Sequence, residues 1–278
     1  LALLTRQVYS EKAAFWVVLA VALSPGNAAS QLIFTIDSPL LFSWSLALFG
    51  AVRLTRNPER PAVGTILLGL GLGLGYLSKQ MMLVFPLLLL VAVVTDSRHR
   101  FWLRRPIFWA VLILPLIALV PPLHWNAQNH WITFEHTGGH FGTSPVSFGK
   151  RVGRFFEFVG SQMGLIGPVL FPLIVVLLYR MAWTWKTLRF EERLLWLFSA
   201  PALLVFLGMA LRQRILPNWP AVFYLASAVL LSGWFVQSGA VASVMQRGRG
   251  WVRPGIVAGG ALMTFVYLLL WVSPLLPL

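Results

Sequence analysis

The chain has 278 residues, of which 58% are hydrophobic and 11% charged, and its mean hydropathy is +0.77. A soluble domain is nearer half apolar and a quarter charged, so repeated apolar runs of about 16–20 residues read as transmembrane helices and not as one soluble core. The lack of cysteine excludes disulfides and thiolate metal sites, and the net charge of +14 lies in short loops between apolar runs, which argues against nucleic acid as a partner.

The first apolar run, residues 13–23, reads as a short helix stopped by Ser24-Pro25-Gly26-Asn27. Asp37-Ser38-Pro39 opens the next, over about residues 39–54, with Asp37 or Ser38 as the expected N-cap. Residues 62–77 and 81–95 form a close pair around Ser78-Lys79-Gln80. The first of these carries Gly64, Gly69, Gly71, Gly73 and Gly75 in no phosphate-cradling spacing, so Gly71 and Gly75 read as a face for tight helix packing. A span at residues 107–120 leads to a polar segment, 121–162, expected to be a loop. Spans at residues 163–179, 194–211, 219–236 and 256–272 complete about nine membrane segments in one all-α integral-membrane domain, residues 1–278.

Sidedness follows from the bases. The N-terminal tail and residues 53–60, 96–105, 180–193 and 237–253 hold sixteen of the twenty-two Lys and Arg. That side is expected to be cytoplasmic. The other side, with Lys79, Lys150, Arg151, Arg154, Arg212 and Arg214, is expected to face the periplasm across a bacterial inner membrane. It also receives Asp37, the loop 121–162, and Asn218-Trp219.

The chemistry-bearing residues gather there. Lys79 at a membrane edge is either a snorkelling anchor or a point charge for an anionic lipid phosphate. Arg212 and Arg214 stand where cations should be few, and guanidinium forks suit phosphate oxygens. Asp37 reads as an N-cap, or as a carboxylate that orients a hydroxyl or pairs with a cation. Glu135 is a second candidate acid or base, with His136 beside it. His124, His130, His136 and His140 match no standard metal spacing, and Gly138-Gly139 argue against a helix that would align the last two. No cofactor is required by these residues, and a divalent metal stays open. Residues 152–159, with three phenylalanines, read as an amphipathic stretch along the membrane surface.

Four motifs in this order, Ile36-Asp37-Ser38-Pro39-Leu40, Gly75-Tyr76-Leu77-Ser78-Lys79, Trp125-Asn126 through Trp131-Ile132-Thr133-Phe134-Glu135-His136, and Pro217-Asn218-Trp219-Pro220, give the chain a likeness to a known family. It resembles the bacterial branch of glycosyltransferase family 39, the proteins similar to protein O-mannosyltransferases and lipid A aminoarabinose transferases. The resemblance implies a GT-C bundle that transfers a sugar, with inversion, from a polyprenyl-phosphate donor to a lipid, protein or glycan acceptor. It implies a donor-phosphate contact at Lys79, substrate contacts at Trp125, Asn126, Asn218 and Trp219, and a candidate catalytic carboxylate at Asp37. On their own chemistry Arg212 and Arg214 join the donor-phosphate contacts, His136 the substrate contacts and Glu135 the candidate carboxylates. The family's principal acid lies in a first long outer loop that this sequence does not contain. The base is therefore expected upstream of Leu1, in a chain lacking its N-terminus. The other class to be weighed is a transporter or flippase of a lipid-linked glycan, for which internal inverted repeats would be the sign.

Overall fold

The computed structural model describes residues 1–27, 30, 35–139 and 147–272. Among the described residues every regular element is helical. The helices are α1 (Ala2–Val8), α2 (Glu11–Ala22), α3 (Asp37–Arg56), α4 (Ala62–Ser78), α5 (Val84–Thr95), α6 (Pro106–Ile113), α7 (Val120–Gln128), α8 (Ile132–Gly139), α9 (Phe148–Ile166), α10 (Leu170–Trp183), α11 (Phe190–Leu197), α12 (Ala200–Ala210), α13 (Ala221–Phe235) and α14 (Val252–Val272). The chain divides into two units, one of Leu1–Phe34, Glu157–Ala200 and Leu216–Leu278, the other of Thr35–Phe156 and Pro201–Ile215.

Among the described residues four helical stretches are long and apolar enough to cross a membrane: Asp37–Arg56, Pro106–Gln128, Phe190–Ala210 and Arg249–Leu269. A helix rises about 1.5 Å per residue, so about 20 residues match a hydrocarbon core of about 30 Å. Three further apolar helices, Ala62–Ser78, Gln80–Thr95 and Ala221–Phe235, are shorter than that. The chain is a polytopic helical membrane protein.

In the second unit α3 and α4 pack through glycine. A Cβ on Gly71 would stand 2.5 Å from the Ala47 nitrogen and 2.8 Å from the Ser43 carbonyl oxygen, and one on Gly64 would meet the Leu54 nitrogen at 2.5 Å. These contacts are with backbone, which cannot swing aside. Gly75 makes room for the Met82 side chain. Gly73, on the opposite face, has nothing within 4 Å. Gly71→Ala is accordingly expected to cost about 1–3 kcal/mol through overpacking. Gly73→Ala should be neutral or gain up to about 1 kcal/mol, since Ala is the better helix former. Thermal unfolding in one detergent checks the pair, and equal shifts would contradict this packing.

The second long span, Pro106–Gln128, is built in three pieces. Pro115, Pro121 and Pro122 lack amide donors, so α6 passes into a 3-10 stretch, Leu114–Leu119, before α7 resumes. The expected loop over residues 121–162 is thereby corrected: its first eight residues complete a 23-residue helical span, Pro106–Gln128, and its last part is α9. An α8 exists despite Gly138-Gly139, because glycine weakens a helix interior but is tolerated at its C-terminal end. The span expected at residues 163–179 is also corrected. Gly167 at φ +109°, followed by Pro168, turns the chain by 107° between α9 and α10. Only glycine adopts that φ without strain.

In the first unit α13 is apolar all round and buried from Val222 to Trp234, packed by α2, α10 and α11. Three distant segments meet at Glu192, which is fully buried. Its carboxylate accepts from the Arg189 amide (2.9 Å), the Arg189 Nη2 (3.2 Å) and the Val241 amide (3.0 Å). Arg189 Nη2 also donates to the Val8 carbonyl at 3.2 Å, and its guanidinium lies 5.3 Å from the Tyr9 ring centre. Burial tends to lower the Arg189 pKa, but the Glu192 carboxylate outweighs it and holds the guanidinium above its ordinary value. Burial and the same carboxylate push the Tyr9 phenol well up, so it stays neutral. The N-terminal tail and residues 180–193 and 237–253, grouped on one side by their bases, are thus joined in space. In the second unit Arg105 Nη1 donates to the Pro58 carbonyl at 3.0 Å, joining two more of the basic segments.

Candidate functional site

Topology brings the candidate residues of the second unit to one end. The helix α3 runs from Asp37 toward the basic turn, and α4 returns from that turn to Ser78. Pro106–Gln128 starts beside the same turn, where Arg105 meets Pro58, and ends near the opposite end with Trp125 and Asn126.

Lys79 and Asp37 meet there. Lys79 Nζ donates to Asp37 Oδ1 at 2.7 Å, and the two side chains are only 16% and 5% exposed. Asp37 is not the N-cap expected from sequence. The cap position is Ile36, and Asp37 is the first helical residue, with its own amide donating to Thr35 Oγ1 at 3.4 Å. A carboxylate in a first turn is favoured by the helix dipole. Lys79 ends α4 in extended backbone at φ −160°, donating its amide to the Gly75 carbonyl and accepting from the Met82 amide. That break in the helix turns the ammonium toward Asp37 instead of letting it snorkel. An ammonium has three N–H donors and Asp37 takes one, so the pair can present positive charge to a further anion without breaking.

Two buried donors accompany these cations, and neither is apparent in the sequence. The Tyr76 hydroxyl, three residues before Lys79, and the Gln213 Nε2, between Arg212 and Arg214, have no hydrogen-bond partner among the described residues. The signal for Tyr76 is its position one turn before the lysine in an otherwise apolar helix. Gln213 carries no such signal, because only the fold buries it.

Arg212 and Arg214 are exposed, and the Arg212 carbonyl accepts from Arg154 Nη1 of α9 at 3.0 Å. Asn126 is buried and fully engaged. Its Nδ2 donates to the Pro122 carbonyl (2.8 Å), its Oδ1 accepts from the Thr133 amide (3.2 Å), and its carbonyl accepts from the Trp131 amide (2.8 Å). It clamps the start of α8 and supports His130 and Trp131, both at positive φ (54° and 59°). Residues without a glycine's freedom pay about 1–3 kcal/mol for such strain. Trp125 and Glu135 are exposed at this end. The His136 side chain and His140 lie outside the described residues. Among the described residues no three His, Asp or Glu side chains converge as a metal site would require.

Asn218 and Trp219 belong to the first unit. Their turn leads into α13 and is held by Gln162, whose Nε2 donates to the Pro217 carbonyl at 3.2 Å while its Oε1 accepts from the Tyr224 hydroxyl at 3.0 Å.

Comparison with known proteins agrees with the motifs. Residues 1–125, which include Asp37 and Lys79, match the family described as dolichyl-phosphate-mannose-protein mannosyltransferase. The chain is 32% identical to the lipid A galacturonosyltransferase RgtD of Rhizobium johnstonii over 216 residues, 77% of this chain and 44% of that protein. It is 32% identical to the lipopolysaccharide core galacturonosyltransferase RgtA of the same organism over 108 residues, 39% of this chain and 21% of that protein. The chain spans less than half the length of these relatives. No solved structure matches it. By its motifs and these matches, the chain is similar to bacterial membrane glycosyltransferases, and its first 125 residues carry the pattern of the mannosyltransferase family.

Proposed function

We propose that this protein transfers a sugar from a polyprenyl-phosphate donor to an acceptor at the periplasmic face of the bacterial inner membrane. The observation that carries this reading is the buried Asp37–Lys79 pair at the end of an apolar helix bundle. A buried cation held by one carboxylate, one turn after a Tyr76 hydroxyl that has no partner among the described residues, is suited to a phosphate monoanion or diester. Arg212 and Arg214, with the Gln213 amide, are further candidates for the phosphate oxygens. Trp125, Glu135, Asn218 and Trp219 remain candidates for lining the sugar and acceptor sites, and His136 is proposed with them on its motif alone. Asn126 acts through the shape of the α7–α8 turn.

In the reaction an acceptor hydroxyl attacks the anomeric carbon from the face opposite the phosphate. The new C–O bond forms as the old one to phosphate breaks, and the polyprenyl phosphate leaves with the electron pair. The hydroxyl proton passes to a carboxylate base. Asp37 is committed to Lys79 and Glu135 lies exposed on α8, so neither is assigned that role. Preorganised cations facing the leaving phosphate supply the electrostatic stabilisation. From the relatives' names, the transferred sugar is a galacturonic acid and the acceptor is lipid A or the lipopolysaccharide core. The test is sugar transfer by the full-length protein in sealed proteoliposomes, with polyprenyl-phosphate galacturonate, mannose and aminoarabinose as donors. Transfer of galacturonate to lipid A is expected. Translocation of a lipid-linked sugar without transfer from any donor would overturn the reading in favour of a flippase.

A further inference from the structure

We infer that the N-terminal half of α9, which Arg154 ties to the Arg212–Arg214 turn, is a docking surface for the headgroup of an acidic glycolipid in the outer leaflet of the membrane, while the two arginines of that turn stay with the donor phosphate. The inference rests on the proposed function in placing this surface at the periplasmic face and in taking that lipid to be the acceptor.

The first observation is where the charge lies. On the side that should be poor in bases, six cations occur, and five of them, Lys150, Arg151, Arg154, Arg212 and Arg214, belong to two short segments of one unit. The structure joins those segments directly, since Arg154 Nη1 donates to the Arg212 carbonyl at 3.0 Å. Lys150, Arg151 and Arg154 fall within about one helical turn, roughly 5.4 Å of rise. Lys150 and Arg151 are exposed on it, as are Arg212 and Arg214.

The second observation is what lies beside the charge. Phe148 is 81% exposed and Phe156 65% exposed on the same helix. At about 100° per residue these two rings occupy one side of α9 and the three bases another. Aromatic rings on one arc and bases on the adjoining arc are the pattern of a helix lying in the interface plane of a bilayer. The rings would sit among acyl chains and the bases at headgroup height. An acidic glycolipid matches both parts: acyl chains beside the phenylalanines, and phosphate or carboxylate groups on a sugar within reach of several bases. A soluble anion has no use for the phenylalanines, and a single phosphodiester leaves most of the bases unmatched.

The test measures binding and not turnover. The full-length protein in zwitterionic detergent is titrated with fluorescent lipid A bearing its phosphates, with the same lipid A after phosphate removal, and with phosphatidylglycerol. Phosphorylated lipid A is expected to bind best, less tightly at high salt. K150Q/R151Q is expected to weaken it by about thirtyfold, since each surface base contributes about a factor of five to six toward anionic lipid. The charge-conserving K150R/R151K should restore binding, and near-native circular dichroism confirms folding; if the double variant fails to fold, K150Q alone is expected to weaken binding about fivefold. Equal binding of dephosphorylated lipid A or phosphatidylglycerol, or native affinity in the neutral variant, would overturn the inference. Binding that follows these expectations without sugar transfer would count against the proposed function and leave the docking surface standing. Sugar transfer without phosphate-dependent binding would do the reverse.

Discussion

Replacing Lys79 by alanine in the full-length protein should lower the rate of sugar transfer by about a hundredfold or more, the usual loss when one preorganised charge contact to a developing anion is removed. It should also destabilise the protein by about 3–5 kcal/mol, because Asp37 would stay buried without its counterion. The two effects separate in a series. Asp37→Asn should lose stability with Lys79 still present. The double variant Asp37→Asn/Lys79→Met removes both charges and should regain most of the stability, since replacing a whole buried pair is often near neutral. Its transfer activity should remain low. Recovery of both stability and activity in the double variant would show the pair to be a structural staple and remove the phosphate assignment.

Glu192→Ala is the second large effect, and it concerns folding. The carboxylate is fully buried and accepts from three donors on two segments, with Arg189 carrying the network on to Val8. Its loss strands the Arg189 guanidinium and the Val241 amide, at a cost of about 3–5 kcal/mol. Any substitution of Gly239 meets the same cluster. Its φ is +75°, and a Cβ there would overlap Arg189, Glu192 and the Tyr9 ring. The measurement is thermal unfolding in detergent, with limited proteolysis of residues 237–253 as a local probe. Release of that segment should accompany the loss of Glu192. A Glu192→Ala protein as stable as the parent would mean that the three segments are held together by something else. Gln at 192 keeps the acceptor oxygen and should cost less than Ala.

The fold class was legible because a membrane imposes it. Apolar runs between basic turns leave the backbone no partner but itself, so each run becomes a helix. The basic turns could be sorted by side from their charges, and the meetings of Arg189 with Val8 and Arg105 with Pro58 bring together segments sorted in that way. Gly71 was legible, with Gly75, as a packing glycine, but the spacing does not say which neighbour each meets: Gly71 meets the α3 backbone and Gly75 the Met82 side chain. That is set by how the neighbours pack. The boundaries were less legible where proline and glycine act in context. Pro121-Pro122 reads as a helix stop, yet a 3-10 stretch ahead of it absorbs the missing donors and the span continues to Gln128. Gly167 sits inside an apolar run that reads as one span, yet the chain turns there by 107°.

By itself the sequence determined that this is a polytopic helical membrane protein and that its motifs resemble a GT-C glycosyltransferase, and its bases gave the expectation of one basic side with the chemistry-bearing residues opposite. Local composition and short motifs carry that information directly. Tertiary structure decided the partners. It made Asp37 the counterion of Lys79 instead of a helix cap, committed Asn126 to the α7–α8 turn, and joined Arg154 to the Arg212 turn. Those contacts depend on the distance and direction between residues 42 and 58 positions apart in the first and last cases. A pattern read along the chain has no term for such distances, and they exist only once the helices have packed.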